Sequence, residues 1–319
     1  MTKITSSLFL AALLALCLHV ASAQAQLVRT CVSMAKGNDA NSASFCHCTT
    51  PCRTFAVAHD NTLPDGEITV LDPGDYGGLT ITKSISINND SGGEASISVS
   101  GGTTGIIVNA PASGYVNLRG ITIQGVGFGG GTGLRFNSGF SLVVTNCVIR
   151  NHTGSGIEYF PNVSSRLAVS NTLVADNGGR GILVQPAAAS TTKVVLNRVE
   201  AVNNSQDGIR IAALTTGLTI KAIVADSVAA SNGSNGFVAS GGFAGAINLM
   251  VIRSVAANNG GVGIESDGVG ATIRVGGSTI TGNGLFGVIA SNSFLPSYGD
   301  NNIDGNVNDG FATATIPTK

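Results

Sequence analysis

The chain has 319 residues, 44 of them glycine, and only 11% are charged. Seventeen basic against eighteen acidic residues leave a formal charge of −1, so no basic face for nucleic acid is implied. So little charge also excludes a self-repelling disordered chain, and so much glycine excludes a helical one.

Residues 1–25 read as a leader. Lys3 supplies its positive start, Leu8 to Val20 its apolar core and Ala21-Ser22-Ala23 a cleavage site. That core is shorter than the ~20 apolar residues a membrane-spanning helix needs, and no second such segment follows. The expectation is an exported protein, periplasmic or secreted, without a membrane span.

Export makes the cysteines legible. Cys31, Cys46, Cys48 and Cys52 crowd the start of the mature chain, where oxidising surroundings favour disulfides. Four cysteines allow three pairings, and the residues alone do not choose among them. His47 and His59 nearby make a zinc site the alternative. Cys147 is left over as a small buried filler. Thr54 is placed to N-cap a short helix running to about Asn61, which Pro64 and Gly66 end. Residues 26–66 therefore form an N-terminal cap, 67–311 a repeat region and 312–319 a tail.

A unit recurs through the repeat region: an apolar run, Asn, a second apolar run, a polar turn, then Gly followed by an apolar residue. Leu142–Ile157 and Leu167–Ile182 show it clearly. The Gly anchors stand at 156, 181, 208, 236, 263, 287 and 310, with weaker copies at 105 and 133. Gaps of 23 to 28 residues are the spacing of a solenoid. Each unit reads as three short parallel strands, so the fold class is all-β, a parallel solenoid of about nine to ten coils. At a parallel-strand spacing of about 4.8 Å, nine anchors span roughly 38 Å of rod. Ile157, Ile182, Ile209, Phe237, Ile264, Val288 and Phe311 follow the anchors and are expected to stack as one inward column.

Asparagine supplies a second column, four residues before each anchor. Allowing one inserted residue in the third coil gives a structural ladder of Asn177, Asn203, Asn232, Asn259, Asn283 and Asn306. Stacked amides at a turn bond one coil to the next and tolerate left-handed backbone. Asn146, Asn171 and Asn197, with Asp226, suggest another ladder. Coil length varies mainly in 185–192, 212–217 and 240–246, which places the insertions on one side of the rod, often the binding side.

The run PCRTFAVAH…GEITVLDPGDYGGLTITKSISI, residues 51–87, resembles the opening coil of right-handed parallel β-helix proteins, the pectate-lyase-like group. It is also similar to a set of exported bacterial proteins whose cap pairs two cysteines placed like Cys46 and Cys52. That resemblance implies a Cys46–Cys52 disulfide, and then Cys31–Cys48. It also implies polysaccharide lyases, glycoside hydrolases and epimerases as relatives. A lyase of this kind would use calcium, held by acids on neighbouring coils, and a hydrolase two carboxyls roughly 5–9.5 Å apart.

Few acids fall in register. Glu158 and Glu265 share a column but lie four coils apart, about 19 Å. The best local pair is Glu265 and Asp267, two apart on one strand and so on one face about 6–7 Å apart. Arg210 stands two coils away in the Glu265 column. Arg180 and Asp207 sit in neighbouring coils, with Glu158 and Arg210 nearby, and read as a surface salt-bridge cluster or as contacts for an anionic sugar. Asp300 to Gly305 imitates a calcium loop, but Phe311 stands where a bidentate Glu is required. No metal site is expected, and there is no tryptophan for a sugar platform.

Three readings follow. The first is a non-catalytic exported scaffold that binds or displays extracellular or cell-wall polysaccharide. The second is a polysaccharide lyase or glycoside hydrolase using Glu265 and Asp267, with Arg210, Glu158, Arg180 and Asp207 on substrate and calcium if a lyase. The third is a surface adhesin.

Overall fold

Every coil solves the same problem: three short strands must turn sharply twice without orphaning backbone groups. The computed structural model describes residues 27–317 apart from Ser91, Phe243 and Ala244, so the leader and the last two residues of the tail lie outside it. All strand pairings are parallel, in one 20-stranded sheet and one of ten strands. In a representative coil, strand Ser165–Ala175 bends at Asn171, and strand Ile182–Val184 joins the ten-stranded sheet. The next coil opens with Thr191–Val202.

The inward column is in register from coil to coil. Leu79, Ile106, Leu134, Ile157, Ile182, Ile209, Phe237, Ile264 and Val288 pair in that order, and all are buried. Burying each aliphatic side chain contributes roughly 1.5–3 kcal/mol. Phe311 does not join them. Val288 pairs instead with Gly310, whose left-handed φ of 69° turns the chain outward and leaves Phe311 83% exposed. Among the described residues no later strand of the ten-stranded sheet stacks on that corner.

Two corners per coil are left-handed. At the first stand Asn146, Asn171, Arg198, Asp226 and Arg253, all with φ between 47° and 55°, then Gly277. Asn197 is not among them. It pairs with Ser170 and Ala225 on the strand itself, because the bend falls one residue later, at Arg198. Just inside this corner runs a hydroxyl ladder that the sequence reading missed. Backbone N–H groups of Val199, Ser227 and Ser254 donate to Ser227, Ser254 and Ser278 Oγ, at 3.1 to 3.2 Å.

The second corner carries the asparagine ladder. Asn177 Nδ2 donates to Asn204 Oδ1, and Asn204, Asn232, Asn259 and Asn283 each pass a bond to the next asparagine, ending at Asn306. Each amide spans 2.8 to 3.0 Å. The rung in the third coil is Asn204, not Asn203. Asn203 occupies the preceding left-handed position at φ 56°, equivalent to Asn258, so no residue is inserted there. His152 tops the ladder, its backbone N–H donating to Asn177 Oδ1.

The cap is welded to the first coil. Strand β1 (Leu27–Val32) already pairs with β2 (Thr62–Val70), so the stacking begins inside the predicted cap. At the other end, Pro296–Ser297 pairs with Ala314–Thr315, inside the predicted tail. Disulfides join Cys31 to Cys48 and Cys46 to Cys52. Cys147 is free and buried. Thr54 Oγ1 accepts from Val57 N–H and caps helix α1 (Phe55–Asn61), whose Phe55 ring packs 5.0 Å from Tyr76. Asp72 accepts from Ser33 Oγ, from the Met34 and Ala35 N–H groups and from the Tyr76 hydroxyl. Burial alone would raise the Asp72 carboxyl, but those donors outweigh it and hold it below the ordinary value.

A buried amide bonded on both sides costs more to lose than an exposed corner residue. Asn204→Ala is expected to lower unfolding free energy by about 2–4 kcal/mol, and Asn203→Ala by about 1–2 kcal/mol of left-handed strain. Urea unfolding followed by circular dichroism checks the order, and equal losses would contradict the assignment of the rung.

Candidate functional site: two outward faces of the coil

The ten-stranded sheet gathers most of the acids picked out from the sequence. Its outward column runs Arg135, Glu158, Leu183, Arg210, Val238, Glu265, Ile289 in successive strands. Asp207 lies beside it, nearly buried, and accepts from Arg180 Nε at 3.1 Å and Arg210 Nη1 at 3.2 Å. Asn235 extends the network, its backbone N–H reaching Asp207 Oδ1 and its Nδ2 donating to Glu265 Oε2 at 2.9 Å. Burial, and then the neighbouring Asp267 carboxylate, push the Glu265 carboxyl above its ordinary value against the pull of Arg210. Arg180, Asp207, Arg210, Glu265 and Asp267 thus form one polar group.

Glu158 stays out of it. Leu183 separates it from Arg210, and Glu158 pairs with Arg135 of the preceding coil at 3.2 Å, while that guanidinium stacks 5.1 Å from the Phe160 ring. Asp226 and Arg253 pair through two 2.8 Å bonds on the exposed first corner. Residues of the pseudo-calcium loop are spent on the coil stack, Asp300 and Asn301 accepting from Gly277 and Ser278 N–H groups. Among the described residues no cluster of three or more His, Cys, Asp or Glu is placed to hold a metal ion.

The other face, on the 20-stranded sheet, was not picked out from the sequence. One outward column there runs Tyr115, Ser141, Arg166, Lys193, Lys221, Asn248, Thr272. Arg166, Lys193 and Lys221 stand on three successive strands, about 4.8 Å apart at the backbone, and all are exposed. No carboxylate pairs with any of them among the described residues. Beside them lies an apolar column, Ala168, Val195, Ile223 and Met250, with Val195 48% exposed. At its N-terminal end Tyr115 meets Phe140 at 5.3 Å, and Arg166 lies 4.9 Å from the same Phe140 ring.

The stretches of variable length precede this face. Arg166, Lys193 and Lys221 each follow the connection out of the ten-stranded sheet. Shallow grooves run past Phe140, Ser164, Arg166 and Lys193 and on past Lys221, Ile223 and Asn248. The aromatics scattered in sequence are sorted by the fold. Tyr76 and Tyr159 go to the core, Tyr159 stacking 4.5 Å from Phe136, while Tyr115 goes to the cationic face. The signal that could have found the stripe was the repeat register itself, applied to bases as well as acids.

A family described as "Right handed beta helix region" matches residues 74–242, more than half of the chain. The chain belongs to that family. Among solved structures, this β-helix is similar to the crystal structure of pectate lyase Pel9A at 17% identity and a TM-score of 0.58, covering 89% of this chain and 81% of that one. It is also similar to an alginate lyase from Paenibacillus sp. str. FPU-7, at 14% identity and a TM-score of 0.55, over 90% of this chain and 97% of that one. At such identities the likeness is one of fold. No curated protein matches the β-helix in sequence. Among the described residues no helix is long and apolar enough to cross a membrane.

The raised Glu265 has a sign that can be measured. The folded state holds the proton more tightly than the unfolded chain, so ionising Glu265 opposes folding. Stability on its account falls as pH rises from its ordinary 4.5 through the folded value, then levels. Glu265→Gln keeps an acceptor for Asn235 and is expected to be more stable than wild type at neutral pH, the difference closing at acid pH. Thermal melts across pH would show it, and a Gln variant less stable at pH 7 would contradict it.

Proposed function

We propose that this β-helix binds acidic polysaccharide outside the cytoplasm along the Arg166–Lys193–Lys221 face. The observation that carries the reading is the unpaired cation stack. Like charges directly opposite in adjacent strands are destabilising, and a rigid parallel sheet cannot move them apart. A row of three without counter-ions is a standing cost to the fold that a polyanion laid along the rod would remove. The exposed Val195 and Ile223 offer an apolar strip for the faces of sugar rings, and Tyr115 with Phe140 offers an aromatic end stop. Export is supported by the leader-like first residues and by two disulfides. The Pel9A and alginate lyase structures, whose names state action on pectate and alginate, support a polysaccharide as the ligand class.

A second reading rests on Glu265. A carboxyl raised by burial and by a second carboxyl beside it is the arrangement a general acid requires, and it would make the ten-stranded face a hydrolytic or lytic site. Against it, Asp207 is occupied by two arginines and Glu265 by Asn235, bonds that serve the stack.

One experiment separates the two. Purified mature chain is titrated calorimetrically with polygalacturonate, alginate and a neutral glucan, while unsaturated product and reducing ends are followed in the same samples. Binding of the two acidic polymers without product is expected. Affinity should fall with added salt, as charge pairing does, and drop at least about tenfold in Lys193→Glu/Lys221→Glu, roughly 1.4 kcal/mol. Equal binding by the double variant would overturn the assignment to this face. Turnover lost on Glu265→Gln would establish the second reading instead.

A further inference from the structure

The end of helix α1 meets a short segment, Thr82–Lys83, the turn that follows strand Leu79–Ile81. His59 is nearly buried, and its two ring nitrogens have opposite partners. Nδ1 lies 3.1 Å from Asp60 Oδ1, which can only accept, so Nδ1 carries the proton. Nε2 lies 3.2 Å from the Thr82 backbone nitrogen, which can only donate, so Nε2 offers its lone pair. The tautomer is thereby determined, and only the neutral ring fits. Lys83 Nζ completes the join, donating to the His59 and Thr62 carbonyl oxygens at 2.8 Å each.

We propose that His59 is an acid-released latch that holds the cap helix onto the first coil. Protonating Nε2 sets two N–H donors against each other and places a cation beside the Lys83 ammonium. The charged groups facing His59 are Asp60 on its own helix and Lys83 on the turn, while β2 presents Thr62 beneath it. Asp60 attracts the protonated ring, but its side chain is 81% exposed and that attraction is screened. Burial first, with Lys83 adding to it, holds the imidazole below its ordinary value of 6.5. The latch therefore contributes stability in full above that value and loses it as pH falls through the folded one.

Release is local by construction. The Cys46–Cys52 disulfide anchors the chain just before the helix, and β2, paired on both edges, anchors it just after. Acid would free α1 from Thr82–Lys83 and uncover the Phe55–Tyr76 contact while the coils below stay stacked.

Hydrogen exchange of the intact mature protein tests the latch. After correction for intrinsic exchange, amides of 55–62 and of Thr82 are expected to lose protection between pH 7.5 and pH 5, while those of Ile182 and Ile209 do not. His59→Gln retains an acceptor for Thr82 without a titrating group and is expected to abolish the pH dependence. The same loss in wild type and variant would overturn the proposal. Should the variant not fold, nitrogen-detected NMR of wild-type His59 decides. A proton on Nδ1 alone and a midpoint below 6.5 support the latch, and a proton on Nε2 or a midpoint at or above 6.5 overturns it.

Discussion

The structure depends on one constraint: each backbone N–H and C=O of a coil must find its partner in the coil above or below. Along the strands the parallel ladder meets it automatically. The chain turns through left-handed residues at the corners, and just past each of them the backbone ladder is interrupted and side chains take over. Asn204, Asn232, Asn259 and Asn283 each accept a backbone N–H from the coil before and donate both to an earlier carbonyl and to the next amide. Serines 227, 254 and 278 perform the simpler version at the other corner. An unpaired buried amide costs about 1–3 kcal/mol, so a stack of rungs is a cooperative element that fixes the register of the whole rod.

That register makes the surface a ruler. The stacking that aligns Ile157, Ile182 and Ile209 inside also aligns Arg166, Lys193 and Lys221 outside, since side chains alternate across each strand. A flexible surface would let three cations splay apart or recruit carboxylates. Here the two outward columns, Ser141 to Thr272 and Val143 to Arg274, contain no acid, and the backbone does not yield. The ten-stranded face took the opposite course, where Asp207 and Glu265 are interleaved with Arg180, Arg210 and Asn235. On the ten-stranded face the arginines are paired with carboxylates, and on the other the three cations are not.

The repeat was legible because its anchors are backbone requirements. Gly181, Gly208 and Gly236 sit where an added Cβ would strike the carbonyl oxygen of the next anchor at 2.5 to 3.0 Å, so each coil must repeat the residue. Corner residues were harder, because the left-handed position accepts Asn, Asp, Ser or Arg and its neighbour looks much the same. Hence Asn203 was exchanged for Asn204, and Asn197 for Arg198. The final anchor misled for a different reason. Gly310 looks like its predecessors, but it pairs with Val288 rather than with an anchor glycine, and Phe311 turns away.

The cation stripe was invisible for a reason that concerns the fold's use. Arg166, Lys193 and Lys221 are 27 and 28 residues apart, and nothing local marks any of them. Their relation exists only in the transverse direction, where chemistry on a β-helix is assembled. Ladders and cations are also independent, since no stripe residue donates to a corner amide and no corner amide reaches the stripe. Selection could therefore place or remove charge on that face at the cost of mutual repulsion alone, without disturbing the rungs that hold the coils in line. Such a surface can change its charge while the rod beneath it stays the same.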